Sequence, residues 1–398
     1  MLYKNYALVI CVNLRYNYSM RKTFQFRLNP THHQRSLLNN TLELCRWVYN
    51  ETLATRKNTW EQEQKSLSLY DTNKLLTTWK KGKPELSQVY SQILQNVQER
   101  VDLAFKSFFR RVKAEKKAGY PRFKGYGRYD SFTFKQSGFN LVGNELLLSK
   151  IGAVKIVQHR PIEGKIKTLT IRRDAVGNWY ACFSCEVDEK PLPPTDKVVG
   201  IDLGLTTFAV FSDGNEIQRE RWMKQDAKDI ARLQRKKENL PKGSLARKKA
   251  VHALQHAYQR QTNRRKNFSH QESRKLVNTY QFIAFEDLNI AEMQAKGNKV
   301  INQGIADVAW HQFVQHTTYK AAEARRGIVL VDPRNTTQMC SGCGEIVHKD
   351  LYVRKHQCPH CGLELSRDLN AALNILARGL ASFRHRPVEA TGLSAPVE

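Results

Sequence analysis

Four cysteines constrain this chain more than any other feature. Cys340-Ser341-Gly342-Cys343-Gly344 and Cys358-Pro359-His360-Cys361-Gly362 are two Cys-x-x-Cys-Gly knuckles, with fourteen residues between Cys343 and Cys358. That is the spacing of a zinc ribbon, in which each pair turns one knuckle and Cys340, Cys343, Cys358 and Cys361 complete a tetrahedron around one structural Zn²⁺. The alternatives on spacing alone are two disulfides, disfavoured in a chain with no recognisable secretory signal, or four free thiols. Directly after the second knuckle, Ser366-Arg367-Asp368-Leu369-Asn370-Ala371-Ala372-Leu373-Asn374-Ile375 reads as a helix that Ser366 or Asp368 can cap. Taken alone, Asp368 is a capping residue.

Two more carboxylates occupy comparable settings. Val198-Val199-Gly200-Ile201-Asp202-Leu203-Gly204 leads into Thr207–Phe211 and the turn Ser212-Asp213-Gly214, a pattern that predicts a buried hairpin. An acid inside such a run needs charge compensation, and a metal ion supplies it economically. Tyr280–Leu288 predicts a second strand that delivers Glu286 at its end. Asp202, Glu286 and Asp368, drawn from two strands and a helix, are what a two-metal phosphodiester hydrolase requires. Such a site holds two divalent ions about 4 Å apart, one activating water and one stabilising the leaving oxygen.

The motifs Gly200–Gly204, Glu286-Asp287-Leu288, the two knuckles and Arg367-Asp368-Leu369-Asn370-Ala371-Ala372, in this order, make the chain resemble TnpB, the RNA-guided nucleases of insertion sequences related to type V CRISPR effectors. The resemblance runs over nearly the whole chain from about residue 20. It departs at Ser366, where the family usually has aspartate. It implies a multidomain α+β protein: an RNase H-like (RuvC) nuclease core with an inserted zinc ribbon, a small antiparallel β-barrel (wedge) and a helical recognition lobe. The implied boundaries are 20–30 and 119–190 for the wedge, 31–118 for the helical lobe, 191–335 and 364–380 for the nuclease, and 336–363 for the ribbon. Residues 1–19 would be an N-terminal extension, with Met20 the expected start, and 381–398 a flexible tail. It further implies a guide (omega) RNA, a double-stranded DNA target beside a short motif, two catalytic Mg²⁺ ions on the three acids, and a monomeric ribonucleoprotein in a prokaryotic cytoplasm. Guide pairing would specify the target while protein reads only the flanking landmark.

Charge agrees independently. Lys and Arg number 65 against 37 Asp and Glu, a net +28, which calls for a polyanionic partner. No apolar run approaches the roughly 20 residues that span a bilayer, so no membrane partner is expected. Asn29-Pro30-Thr31 caps a predicted helix to about Thr59, with Leu37, Leu38, Thr41, Leu42, Cys45, Val48 and Tyr49 as its apolar stripe and Arg46, Tyr49 and Asn50 as nucleic-acid contact candidates. A second helix, about Ser87 to Lys117, carries an apolar stripe from Ile93 to Phe109 and a basic end with Arg110, Arg111 and Lys113.

From Gly119 aromatic and basic residues interleave, Arg122 and Lys124 among them, and short strands follow at 145–148, 153–157, 166–172 and 179–187, a barrel-like pattern. Aromatics there are expected in the barrel core more than on base-stacking surfaces. Cys182 and Cys185, three apart on a strand, face opposite sides and are packing residues. Two basic helices broken at Pro241–Ser244 offer Arg235, Lys236, Arg264 and Arg265 to phosphates. One helix is expected over Ala306–Arg326.

Two other functions share parts of this pattern. Gly200–Thr207 resembles the first phosphate loop of the actin and Hsp70 ATPases, but neither the second phosphate hairpin nor an adenosine motif follows. A catalytically silent RNA-guided repressor would keep guide and target binding; all three acids argue against it.

Overall fold

A computed structural model describes residues 20–350 and 352–384; the expected extension 1–19 lies outside them, as does the expected tail 381–398 except for residues 381–384, which are helical and continue the last helix. The chain divides into two compact units, one ending at Asp188 and the other starting at Glu189.

The first unit begins with β1 (Met20–Asn29), continues through three helices, α1 (His32–Glu63), α2 (Leu69–Gly82) and α3 (Ser91–Lys113), and returns to six strands. These are β2 (Ser131–Phe134), β3 (Phe139–Val142), β4 (Glu145–Leu148), β5 (Gly152–Val157), β6 (Lys165–Arg173) and β7 (Trp179–Val187). The sheet order is β2-β6-β7-β1-β5-β4-β3, antiparallel throughout, so β1 lies between β5 and β7 although the helices separate it from every other strand in sequence. Its two edges, β2 and β3, are consecutive strands joined by only four residues, and the Phe134 and Phe139 rings meet at 6.1 Å. A sheet whose edges are tied that closely curls until it is nearly closed. Alternate residues fill it: Phe24, Phe26 and Leu28 from β1, Phe183 and Cys185 from β7. Cys182 is half-buried on the other side.

Thr31 caps α1 and forms a capping box with Gln34. The buried stripe runs from Leu38 to Leu53 as its spacing predicts. Two differences appear on α3: Leu103 and Phe109, expected in the core, are 42% and 55% exposed. The helix is also shorter at both ends than its pattern suggests, and α2 is an additional element with its own Ser68–Asp71 capping box.

The second unit holds a five-stranded sheet, made of β8 (Val198–Leu203), β9 (Ala209–Phe211), β10 (Glu216–Ile217), β11 (Phe282–Glu286) and β12 (Gly327–Val331), in the order β10-β9-β8-β11-β12. The first three are antiparallel, and β8, β11 and β12 are parallel. Long basic helices α4 (Trp222–Glu238) and α5 (Leu245–Thr279) follow β10, and α6 (Ile290–Lys296), α7 (Lys299–Val308) and α8 (Trp310–Glu323) connect β11 to β12.

The single helix expected over Ala306–Arg326 is instead α7 and α8, broken at Ala309 in the left-handed region (φ 52°). In a continuous helix Val308 and Trp310 would point about 200° apart; the break turns both into one core with Ile305 and Phe313. After β12 come the cysteine segment, the short hairpin β13 (Lys355–Gln357) and β14 (Glu364–Ser366), and the last helix, α9 (Arg367–Arg384). Ile283 and Phe285 of β11 pack beneath α5 and α8 on one face of the sheet, while Phe282 and Ala284 pack against α9 on the other. Burial on both faces explains why this strand is apolar without alternation.

Candidate active site

The placement of the three acids follows from two periodicities. Gly200 on β8 touches α9 so closely that a Cβ there would lie 2.2 Å from the Ala372 carbonyl and 2.4 Å from the Leu376 nitrogen. Asp202 lies two residues along the strand, on the same face. Asp368 lies one helical turn before Ala372. About 6.6 Å along the strand and about 6 Å along the helix are nearly equal steps, so Asp202 faces the first turn of α9. On β11, Ala284 pairs with Gly200 and Phe285 with Ile201; the next position in that register sets Glu286 beside Asp202, again on the α9 face. Gly379 lets the far end of α9 settle on Ala284, where a Cβ would come within 2.6 Å of the Ala284 methyl.

The electrostatics register this convergence. Burial, then Glu286, then Asp368 push the Asp202 carboxyl up to about 8, while the guanidinium groups of Arg367 and Arg354 oppose the shift. Burial also raises Glu286, opposed by a hydrogen bond donated by Thr336 Oγ1 to its Oε1 and by Arg378. Asp368 accepts from Arg367 Nε at 3.2 Å and faces Arg354 Nη1 at 3.9 Å. Arg354 is more than half exposed.

The four cysteines form the second centre. Their Sγ atoms all lie within 4.8 Å of one another, and among the described residues they are the group of three or more His, Cys, Asp or Glu side chains arranged to share one ion. Cys340–Cys361 and Cys343–Cys358 approach to 3.6 Å, well beyond a disulfide bond. The knuckles repeat one geometry: Gly344 N donates to the Cys340 carbonyl and Gly362 N to the Cys358 carbonyl, each at 2.9 Å, with both glycines at positive φ. Four converging thiols, unbridged and on matched turns, fit Zn²⁺.

The two centres are physically joined. Asn370 and Asn374, buried on α9, donate to the Met339 carbonyl at 2.7 Å each; Asn374 also reaches the Thr336 carbonyl, and Asn370 accepts from Ser341 N. The segment that enters the first knuckle is thus pinned to the Asp368 helix, and it carries the Thr336 hydroxyl that meets Glu286. Ser366 ends β14 and caps α9 by accepting from Leu369 N at 3.1 Å, so a serine serves the turn where the family usually has aspartate.

The nucleic-acid candidates separate into groups. Arg110, Arg111, Lys113, Arg122, Lys124, Arg235 and Lys236 are exposed. Tyr49 is 7% exposed and belongs to the helical core, which takes its ring away from any partner. Asn50 is engaged at both ends by the Lys124 backbone, and Arg46 pairs with Glu43 and reaches the Lys124 carbonyl, so both hold a loop. Arg264 pairs with Asp226, and Arg265 donates to the Ala306 carbonyl. Thr336, Arg354 and Arg378 escape a reading by motif. The Asn370–Asn374 spacing, two amides one turn apart on an apolar helix, is a sequence signal by which this network could have been found.

The family profile described as "Probable transposase" matches residues 182–296, "Cas12f1-like, TNB domain" matches 310–375, and "Helix-turn-helix domain" matches 20–65. Over that last range the structure has one strand and one unbroken helix, β1 and α1. A Streptomyces pristinaespiralis protein named "Putative RNA-guided DNA endonuclease" is 34% identical over 371 residues, covering 91% of this chain and 90% of its own. InsQ of Escherichia coli K12, with the same description, is 27% identical, covering 90% and 92%. Among solved structures, the "Cas12f1-sgRNA-target DNA complex" shares the fold with a TM-score of 0.56 at 12% identity, over 90% of this chain and 98% of that one.

Proposed function

This chain belongs to the TnpB family, and from that premise we propose that it is an RNA-guided DNA endonuclease of an insertion sequence, using a guide RNA and a short target-adjacent motif to cut double-stranded DNA at one carboxylate site. The observation that carries the reading is the placement of Asp202, Glu286 and Asp368 on the α9 face of the sheet, which follows from the contact of Gly200 with Ala372 and the β8–β11 register. Three half-buried carboxylates on one face of the sheet make a donor set suited to divalent cations. Bound Mg²⁺, in a pair, would supply an activated water and stabilisation of the leaving oxygen.

The chain's own residues do the rest. Thr336 fixes the Glu286 carboxylate, and Arg354 and Arg367 lie beside Asp368. The cysteine cluster, coordinatively closed by four thiolates, leaves no position for water and is structural. The mixed sheet with two antiparallel and two parallel neighbours, α9 against one face, supports an RNase H-like core. The curled first sheet with its helical insertion supports the wedge and recognition lobe. With one acidic site, the two DNA strands would be cut in turn by a single ribonucleoprotein.

Asp202→Ala tests this. Cleavage of a matched duplex in Mg²⁺ should fall by on the order of a thousandfold or more, with guided binding retained. Copurifying RNA should be recovered from both proteins. Residual cutting of either strand at the parental rate would reveal a second active site and defeat the assignment.

A further inference from the structure

The sequence between Gly119 and Phe134 reads as one aromatic-rich run, yet the structure divides it sharply. Tyr129, Phe132 and Phe134 are 5% exposed or less and line the first unit's core. Tyr120, Phe123 and Tyr126, immediately before them, are 46%, 55% and 85% exposed. Phe109 at the end of α3 joins this surface at 55%, stacked on Phe105, while Phe108 bridges Phe109 and Tyr120 edge to face. Large rings left in water are a liability unless a partner covers them.

Charge identifies that partner's chemistry. From Leu103 to Arg128 the chain has nine Lys and Arg and one carboxylate, Glu115. An apolar protein face would not be met by so one-sided a charge; a phosphate backbone would. A regular duplex offers phosphates but keeps its base faces stacked inside. Unpaired nucleotides offer both phosphates and open π-faces, which matches rings set among cations.

The rings are also held in place. Asn50 donates from Nδ2 to the Lys124 carbonyl at 3.0 Å and accepts the Lys124 N–H at 2.8 Å, so one side chain of α1 grips the loop right after Phe123 and two residues before Tyr126. Arg46 adds a bond to the same carbonyl and lies over the Tyr126 ring at 5.9 Å. Such fixing lowers the entropy lost on binding.

We propose that the end of α3 and the loop 119–128 form a stacking platform for unpaired nucleotides, with Phe109, Tyr120, Phe123 and Tyr126 as ring faces and Asn50 as the residue that positions the loop. This rests on the nucleic-acid reading above and deepens it by assigning a single-stranded segment to this surface.

The test uses the full chain, freed of nucleic acid at high salt, in magnesium-free buffer. The probes are an oligothymidylate carrying 2-aminopurine, whose fluorescence falls on stacking, and a blunt duplex with the same number of phosphates. Phe123→Ala and Tyr126→Ala should each weaken oligonucleotide binding by roughly tenfold and restore probe fluorescence. The slope of log affinity against log salt should stay as in the parent, because no phosphate contact is lost, and duplex affinity should hold. Asn50→Ala should weaken the same probe without removing a ring. Equal losses on oligonucleotide and duplex, or unchanged oligonucleotide affinity in the Phe123→Ala, Tyr126→Ala double variant, would overturn the platform. Since cleavage is not read, that outcome is separate from failure of the nuclease reading.

Discussion

Asp202 carries a proton in the folded, metal-free chain that the unfolded chain releases, because burial and two acidic neighbours raise its pKa to about 8. Its contribution to stability is complete below the unfolded pKa, near 4, and is lost as pH rises toward about 8. Asp202→Asn keeps the neutral form at every pH. Without divalent metal it should therefore melt several degrees above the parent at pH 8 and close to it at pH 4. Thermal melts showing the same gap at both pH values would contradict this origin.

Thr336 acts on the site through Glu286. Thr336→Val removes a hydrogen bond to a carboxylate while keeping the side chain's shape. It should slow cleavage by roughly ten- to a hundredfold and raise the Mg²⁺ concentration needed, with zinc content unchanged. Thr336→Ser should recover most of the activity; equal defects in both variants would mean that packing, and not the hydroxyl, is what matters.

Among the elements, α9 determines whether the site exists, because it alone brings Asp368 to the two strands. Gly379→Ala should cost about 1–3 kcal/mol by driving a methyl into Ala284, and adding Ala284→Gly should return part of that loss. Additive penalties in denaturant melts would show that the two positions do not meet.

The strands and helices of the site are readable in sequence where local pattern and burial coincide. β11 is an uninterrupted apolar run ending in Glu286, and α9 starts at a serine cap with its acid in the first turn. The close approach of Gly200 to Ala372 is invisible there, since a glycine in a strand says only that something comes near. Helix α2 escapes because only Thr72 and Leu76 of its fourteen residues are buried, too sparse a stripe to show a period. The exposure of Phe109 escapes for the opposite reason: it continues an apolar stripe after the core beneath it has ended.

At the scale of the whole molecule, the cysteine cluster and the acids are one mechanical system through Asn370 and Asn374. Replacing both Cys343 and Cys361 with serine should abolish bound zinc by metal analysis. It should also reduce cleavage, since the Thr336–Ser341 segment loses its anchor on one side. Retained RNA should be unaffected; full cleavage in a zinc-free protein would uncouple the centres.

The threading of the first sheet has a consequence for synthesis. Strand β1 is made early, but its neighbour along nearly its whole length is Trp179–Val187. At about 5–20 residues per second, a ribosome needs roughly eight to thirty seconds to reach that strand. Until β5 is made β1 has no strand to join, and until β7 follows Phe24 and Phe26 lack their neighbour, while α1, α2 and α3, built from local contacts, can already form. A transcript truncated before β7 should yield a helical but aggregation-prone fragment, and chaperone demand should peak over that window of translation.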